Sequence, residues 1–292
     1  LVKHIKGAFV FEPKPGIYDD IVVFDYRSLY PSIIASHNIS PGTLNCECCK
    51  QKQKKLQTEQ GELWFCENKK GFLSQIIEHL INVRATVKAQ IKKGKNDQMT
   101  LARSEALKVL ANSFYGYLGF YGARWYCKEC AEATTAFGRQ YIHQVIDSAQ
   151  EQGFTVLYSD TDSVFLLLDN KTKEDALNFA SGINKKLPGV MELEFEGMYP
   201  AGIFVSAKAG EAGAKKKYAL LDEKGIMKIK GFETVRRNWS FIARDVQKTV
   251  LEIVLKEKNP AKAANYLRET INAVRKKEIP LAKLVIHTQL RR

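Results

Sequence analysis

Two hydrophobic periods run along this chain. Apolar runs of strand length, such as Ile21 to Phe24 and Val164 to Leu168, occur in its first and middle parts. From Leu73, apolar residues recur as Leu73, Ile76, Ile77, Leu80, Ile81, Val87 and Ile91, the spacing of one helical face. After the polar break Gly94-Lys95-Asn96-Asp97 a second helix is predicted from about Met99 to Tyr117, making an αα-hairpin. Before it, strands over Gly7 to Tyr26 are interrupted by Glu12-Pro13-Lys14-Pro15-Gly16, and a helix is predicted from Ser28 as N-cap with Pro31 in its first turn. Residues 42–70 are rich in Cys, Lys and Gln without periodicity and read as an irregular insertion.

Further on, a helix from about Cys127 to Gln152 stops at Gly153, a left-handed C-terminal cap. Runs at Thr155 to Tyr158 and Ser163 to Leu168 flank Ser159-Asp160-Thr161-Asp162 and predict a hairpin with two acids at its tip. A helix near Glu174 to Lys186 follows, with strands near Val190 to Glu196, Gly202 to Ala207, Lys217 to Leu221 and Met227 to Lys230. From Trp239 onward the pattern is helical, with Ile242, Val246, Val250 and Ile253 in one stripe. The fold class is α+β.

Composition narrows the function. The 292 residues predict about two domains. At 45% hydrophobic and 26% charged, the chain is neither collagenous nor low-complexity nor wholly disordered. No apolar run approaches the ~18 residues of a membrane span. Lys and Arg number 45 against 32 Asp and Glu, and the net charge of +13 favours a polyanionic partner. The six Cys are unevenly spaced, with Cys46, Cys48 and Cys49 crowded together. No signal segment precedes them and the first residue is Leu1, so an intracellular piece of a longer chain is expected.

Position then decides where chemistry lies. Asp25 ends an apolar strand at a strand-to-helix junction, and Asp160 and Asp162 sit at a hairpin tip about 135 residues later. If the strands are neighbours, the acids converge on one sheet edge, as Mg²⁺ and phosphate chemistry requires. A lone Asp-x-Asp in a turn is usually just solvated, but apolar strands on both sides favour the site. On the second helix of the hairpin Lys108, Asn112 and Tyr115 fall at i, i+4 and i+7 beside Gly116, opposite a basic row of Arg84, Lys88 and Lys92 on the first. Together these faces suit a triphosphate and a flat base, although basic helix rows are commonly solvated and Tyr commonly half-buried.

The segments Asp25-Tyr26-Arg27-Ser28-Leu29-Tyr30-Pro31-Ser32-Ile33-Ile34, Lys108 to Gly116 and Tyr158-Ser159-Asp160-Thr161-Asp162-Ser163 resemble motifs A, B and C of the family B (polymerase alpha type) DNA polymerases. Lys215-Lys216-Lys217-Tyr218 is similar to that family's basic-Tyr motif on the primer duplex, and Lys230-Gly231 through Arg236-Arg237 resembles its block entering the thumb. The five motifs stand in family order across nearly the whole chain, with wording closest to archaeal members. The resemblance implies a palm with a mostly antiparallel sheet in residues 1–70 and 119–233, helical-hairpin fingers in 71–118 and a thumb, cut short, from 234 to 292.

What the resemblance implies for function is a DNA-directed DNA polymerase. Asp25 and Asp162 match its principal metal ligands, Asp160 its auxiliary acid, and the Tyr26 carbonyl completes the shell of two Mg²⁺ ions, for which Mn²⁺ substitutes. Ser28 and Leu29 amides match the β- and γ-phosphate site, where helix N–H groups favour anions. Arg84, Lys88, Lys108, Asn112 and Tyr115 match the nucleotide-binding finger residues, and Tyr30 the steric gate against ribose. Lys215, Lys216, Lys217, Tyr218, Lys230, Arg236 and Arg237 are the expected DNA contacts. Expected partners are primer-template DNA, deoxynucleoside triphosphates, a further chain or region supplying the N-terminal and exonuclease domains, and a sliding clamp; a cytoplasmic, nucleoid-associated location follows if the source is archaeal. No editing-type acidic motif precedes Gly7, so this chain is not expected to proofread by itself.

Departures from the family pattern are Ser159 where Gly is usual, Asn238 where Asp is usual, and Ile5-Lys6-Gly7-Ala8 in place of an aromatic-x-Gly-Gly linker. The cysteines leave three readings open: a four-thiolate zinc site from Cys46, Cys48, Cys49 and Cys66 beside the short clip Cys127-x-x-Cys130, disulfides of the kind the resemblance implies in both regions, or unlinked thiols. Two other functions compete with the polymerase. A catalytically inactive polymerase-like DNA-binding or structural subunit is disfavoured because all three acids, Lys108 and Asn112 are present, and a two-metal nuclease leaves motif B and Tyr30 unexplained.

Overall fold

A computed structural model describes residues 5–51, 55–59, 61–207, 213–236 and 238–288. Their elements run β1 (Val10–Phe11), β2 (Gly16–Tyr26), α1 (Leu29–Ser36), β3 (Leu56–Thr58), β4 (Gly61–Leu63), α2 (Phe72–Lys92), α3 (Gln98–Gly119), α4 (Lys128–Glu151), β5 (Thr155–Asp160) and β6 (Ser163–Leu167). They continue as α5 (Lys173–Asn184), β7 (Leu193–Ser206), β8 (Gly213–Leu221), β9 (Met227–Lys230), α6 (Phe241–Lys256), α7 (Pro260–Arg275) and α8 (Leu281–Leu284). The class is α+β.

The main sheet has seven strands in the order β1-β5-β6-β2-β7-β8-β9, every described pair antiparallel. Its central strand explains the unbroken run Ile21-Val22-Val23-Phe24: β2 is covered on both faces, so all four side chains are fully buried. Val22, Phe24 and Tyr26 point into the core shared with α1, α4 and α5. Ile21 and Val23 point the other way, into an aromatic cluster with Tyr158, Phe165, Tyr199, Phe204 and Tyr218.

Several elements depart from their predicted form. The two strands expected near 190–196 and 202–207 are one 14-residue strand, β7. β7 continues through Gly197 and Pro200, which lie between the two expected strands. Its register slips by one residue where Val23 faces Gly197 and Phe24 faces Phe195, leaving Glu196 as the bulged residue. Pro200, which has no N–H, faces the place where Asp20 turns left-handed, at φ 53°. Within 42–70 the insertion is ordered in part, with the β3–β4 hairpin and a 3₁₀ turn at Glu47–Cys49. Ser28 precedes α1 as expected but makes no side-chain cap, because its backbone is left-handed at φ 50°.

The helical hairpin forms as predicted, with Asp97 capping α3 by accepting the Thr100 N–H at 2.9 Å. Four of the seven expected core positions of α2, namely Leu73, Ile77, Ile81 and Val87, are buried. At the far end, α6 packs through Leu251 and Leu255 against Ala201, Ala219 and Phe232. Of the predicted stripe on α6, Val246 and Ile253 are buried and Val250 is half-buried; Ile253, Val250 and the neighbouring Val254 pack with Ala263 of α7. No helix among the described residues is long and apolar enough to cross a membrane.

Candidate active site

Backbone pairing brings the acids together. In the β2–β6 ladder Asp25 faces Ser163, and the Tyr26 N–H donates to the Asp162 carbonyl at 2.8 Å. The turn between β5 and β6 is tight: the Asp162 N–H bonds the Asp160 carbonyl at 2.6 Å, and Thr161 is left-handed at φ 61° with its N–H on the Phe9 carbonyl. A strand end and a hairpin tip far apart in sequence thus share one edge.

These carboxylates are costly neighbours. Burial pushes Asp25 up to about 7, reinforced by Asp162, Glu196 and Glu194 and only partly opposed by Lys228. Burial also raises Asp162, with Asp160 and Glu196 adding to it. A dication at this edge removes both burdens, so the donor set, two hard carboxylates beside the backbone carbonyl of Tyr26, fits Mg²⁺ or Mn²⁺. Asp160 stands apart, its carboxylate 3.2 Å from Lys216 Nζ.

A cavity of about 440 Å³ opens over the pair, lined by Asp25, Asp162, Thr161, the α1 entry from Tyr26 to Pro31, and four residues of the hairpin, Arg84, Lys88, Lys108 and Asn112. The hairpin cations are tethered loosely: Lys88 lies 3.7 Å from Glu194, Lys108 3.8 Å from Glu105, and Arg84 Nε donates to the Ser104 carbonyl at 3.3 Å. Acids thus occupy one wall and cations the other, as a metal-bound polyphosphate would require. Lys92 is not among the lining residues.

Tyr30 and Tyr115 meet at the cavity's edge, ring centroids 4.5 Å apart. The Tyr30 ring also rests on Gly138 of α4, where an added Cβ would stand 3.2 Å from Tyr30 Cε1. Burial, with Tyr115 beside it, raises the Tyr30 hydroxyl to about 12. Beyond Gly116 there is open space.

Three charged residues around the cavity and its acids escaped the sequence reading. Arg27 pairs with Glu192 at 2.5 Å and Glu194 at 3.6 Å, and its buried Nε has no partner among the described residues. Glu194 faces Asp25 across the β2–β7 ladder and lines the cavity, while the bulged Glu196 pairs with Lys228. The alternation Glu192-x-Glu194-x-Glu196 was the available signal.

The expected duplex contacts are dispersed. Lys215 and Lys230 are exposed, and Arg236 reaches the Gly231 carbonyl at 3.4 Å. Arg237 lies outside the described residues. Of the remaining two, Lys217 is held by Glu233 at 2.9 Å with its Nζ over the Phe232 ring, and the Tyr218 ring, 7% exposed, belongs to the aromatic core. Their alternating neighbours on β8 face opposite ways, so a run of four similar residues cannot present one surface. Ser159, the departure in motif C, is fully buried, and its Oγ has no hydrogen-bond partner among the described residues.

Both cysteine groups assemble. Cys127 and Cys130 lie 2.6 Å apart at the start of α4, and Cys46, Cys48, Cys49 and Cys66 have their four sulfurs within 4.8 Å of one another.

A sequence profile of DNA polymerase family B matches residues 2–292. This chain belongs to DNA polymerase family B. It is 45% identical over 287 residues to "DNA polymerase 1" of Pyrococcus abyssi, covering 96% of this chain and 36% of that protein. It is likewise 45% identical over 294 residues to "DNA polymerase" of Thermococcus sp. (strain 9oN-7), covering 98% and 36%. Among solved structures, the family B DNA polymerase of Pyrobaculum calidifontis superposes with a TM-score of 0.72 at 33% identity, over 97% of this chain and 36% of that one. The chain therefore spans about a third of the length of these family B relatives.

Proposed function

We propose that this family B chain carries the nucleotidyl-transfer site of a DNA-directed DNA polymerase, adding deoxynucleotides to a primer 3′-OH with release of pyrophosphate. The single observation that carries this reading is the cavity in which Asp25 and Asp162 face Arg84, Lys88, Lys108 and Asn112. Residues 1–70 and 119–233 then act as palm, 71–118 as fingers and 234–292 as thumb.

Asp25, Asp162 and the Tyr26 carbonyl would hold two divalent cations, Mg²⁺ or Mn²⁺. When bound, these ions supply charge neutralisation and acidification of the attacking hydroxyl. The chain's own groups do the rest. Arg84, Lys88 and Lys108 grip the triphosphate and offset the charge that grows on the leaving pyrophosphate. Backbone N–H groups of Ser28 and Leu29, at the free end of α1, orient its outer phosphates. Asn112 and Tyr115 line the approach, with the open face at Gly116 for the base. Tyr30, wedged between Tyr115 and Gly138, has no room to yield and so excludes a 2′-OH. Lys215, Lys230 and Arg236 supply phosphate contacts to the duplex, while the template reads sequence by its own base pairing.

Primer extension on a template tests the proposal. The unmodified chain is expected to extend the primer only with divalent cation present, and Asp162→Ala to lose extension by at least about a thousandfold while retaining DNA binding. Binding without extension by the unmodified chain supports the inactive-subunit reading instead, and metal-dependent primer shortening supports a nuclease.

A further inference from the structure

The segment between α1 and α2 holds chemistry that nucleotidyl transfer does not use. Cys46 precedes the Glu47–Cys49 turn, so Cys46, Cys48 and Cys49 are presented together by one 3₁₀ turn. Cys66 arrives on the returning chain. The two sides are zipped by the Leu44–Phe65 bridge, by the Asn45 N–H on the Trp64 carbonyl at 2.8 Å, and by the Cys66 N–H on the Thr43 carbonyl at 2.8 Å. The left-handed Asn38 clamps the exit, donating to the Cys66 and Lys69 carbonyls and accepting the Gly71 N–H at 2.7 Å.

The sulfur spacings discriminate between the three readings of these cysteines. A tetrahedral zinc with bonds of about 2.3 Å holds its sulfurs about 3.8 Å apart. Here Cys48 lies 3.5 Å from Cys66 and 3.7 Å from Cys49, and all four sulfurs are mutually within 4.8 Å. A disulfide would need one pair at about 2.05 Å with the others left over. An iron–sulfur cubane would spread the four sulfurs around an inorganic core, and there is no such space between them.

A backbone donor faces the cluster: the Glu67 N–H donates to Cys49 Sγ at 3.4 Å, while the Cys49 N–H reaches the Cys46 carbonyl at 3.5 Å. Cys49 and Cys66 are buried, while Cys48 is exposed and offers a path for entry.

We propose that Cys46, Cys48, Cys49 and Cys66 bind one structural Zn²⁺ as a closed four-thiolate site that pins the chain entering α2. Four thiolates and one dication fill the tetrahedron, so no position remains for catalysis. Because Asn38, Cys66 and Gly71 lie in one hydrogen-bonded network, the metal anchors the base of the helix that carries Arg84 and Lys88.

The test uses the full chain, expressed with zinc, purified in reductant and freed of loose metal. Elemental analysis is expected to find about one zinc per chain, released by a thiol-specific mercurial. Cys49→Ser and Cys66→Ser are expected to lower zinc at least tenfold, whereas Cys130→Ser retains it. Should the variants misfold, the unmodified chain decides alone: exchange with Co²⁺ must give the intense thiolate charge-transfer and tetrahedral d–d bands of a four-sulfur site, and chelation must lower the melting temperature. Zinc well below one per chain, stoichiometric iron, or a mapped disulfide joining Cys66 to any of the other three overturns the proposal.

Discussion

Replacing Asp25 by Asn tests the repulsion among the carboxylates at this edge. In metal-free chain the Asp25 carboxyl is held up at about 7, against 3.8 for the ordinary group. Its native state therefore binds more protons than the unfolded state between those values, so this group's contribution to stability is full below about pH 4 and is lost as pH rises through about 7. Three pH units at about 1.4 kcal/mol each give ~4 kcal/mol as the full penalty above pH 7. Asp25 is not completely desolvated, and screening reduces this to roughly 2 kcal/mol. Urea unfolding with EDTA at pH 8 is thus expected to show Asp25→Asn more stable than the unmodified chain by about 2 kcal/mol, with less than half that gain at pH 5. Adding Mn²⁺ at pH 8 is expected to reverse the order by stabilising only the carboxylate form. Equal stability of the two chains in EDTA at both pH values would falsify the electrostatic account of this edge.

Two further perturbations follow from the geometry. Tyr30→Ala is expected to weaken discrimination against ribonucleotides in primer extension by about a hundredfold, an energy of ~3 kcal/mol set by one lost steric wall; unchanged discrimination removes Tyr30 from the gate. Lys217→Ala is expected to cost about 1–2 kcal/mol of stability, because Lys217 holds Glu233 at the junction with α6. Glu233 is kept down at about 2 by Gln247 and Lys217, so the loss is present above about pH 4.5 and fades as pH falls toward 2. A drop in the salt slope of DNA binding with unaltered melting would instead make Lys217 a phosphate contact.

Much of the site was legible because local rules sufficed. An apolar strand ending on Asp25, a polar four-residue tip after another such strand, and i, i+4 spacing on α2 and α3 each fix a side chain's direction without knowledge of the fold. The helical hairpin and the β5–β6 hairpin formed where the pattern put them. β7 was misread because Gly197 and Pro200 are locally poor strand residues, yet pairing to β2 on one edge and β8 on the other overrides that preference. Arg27, Glu194 and Glu196 were missed for a related reason: what brings them to the acids is the pairing of β2 with β7, and no periodicity encodes that.

The sequence by itself determined most of the helices and strands, the α+β class, the placement of Asp25, Asp160 and Asp162 at strand ends and the sign of the charge on the hairpin. Only the tertiary structure decided that Asp25 and Asp162 share an edge while Asp160 turns to Lys216, that Lys217 and Tyr218 face inward, and that four cysteines close on one point. The physical reason is the same in each case. Helix and strand periods set orientation over a few residues, whereas distances across the β2–β6 ladder or the Cys46–Cys66 loop exist only once non-local hydrogen bonds have fixed the register.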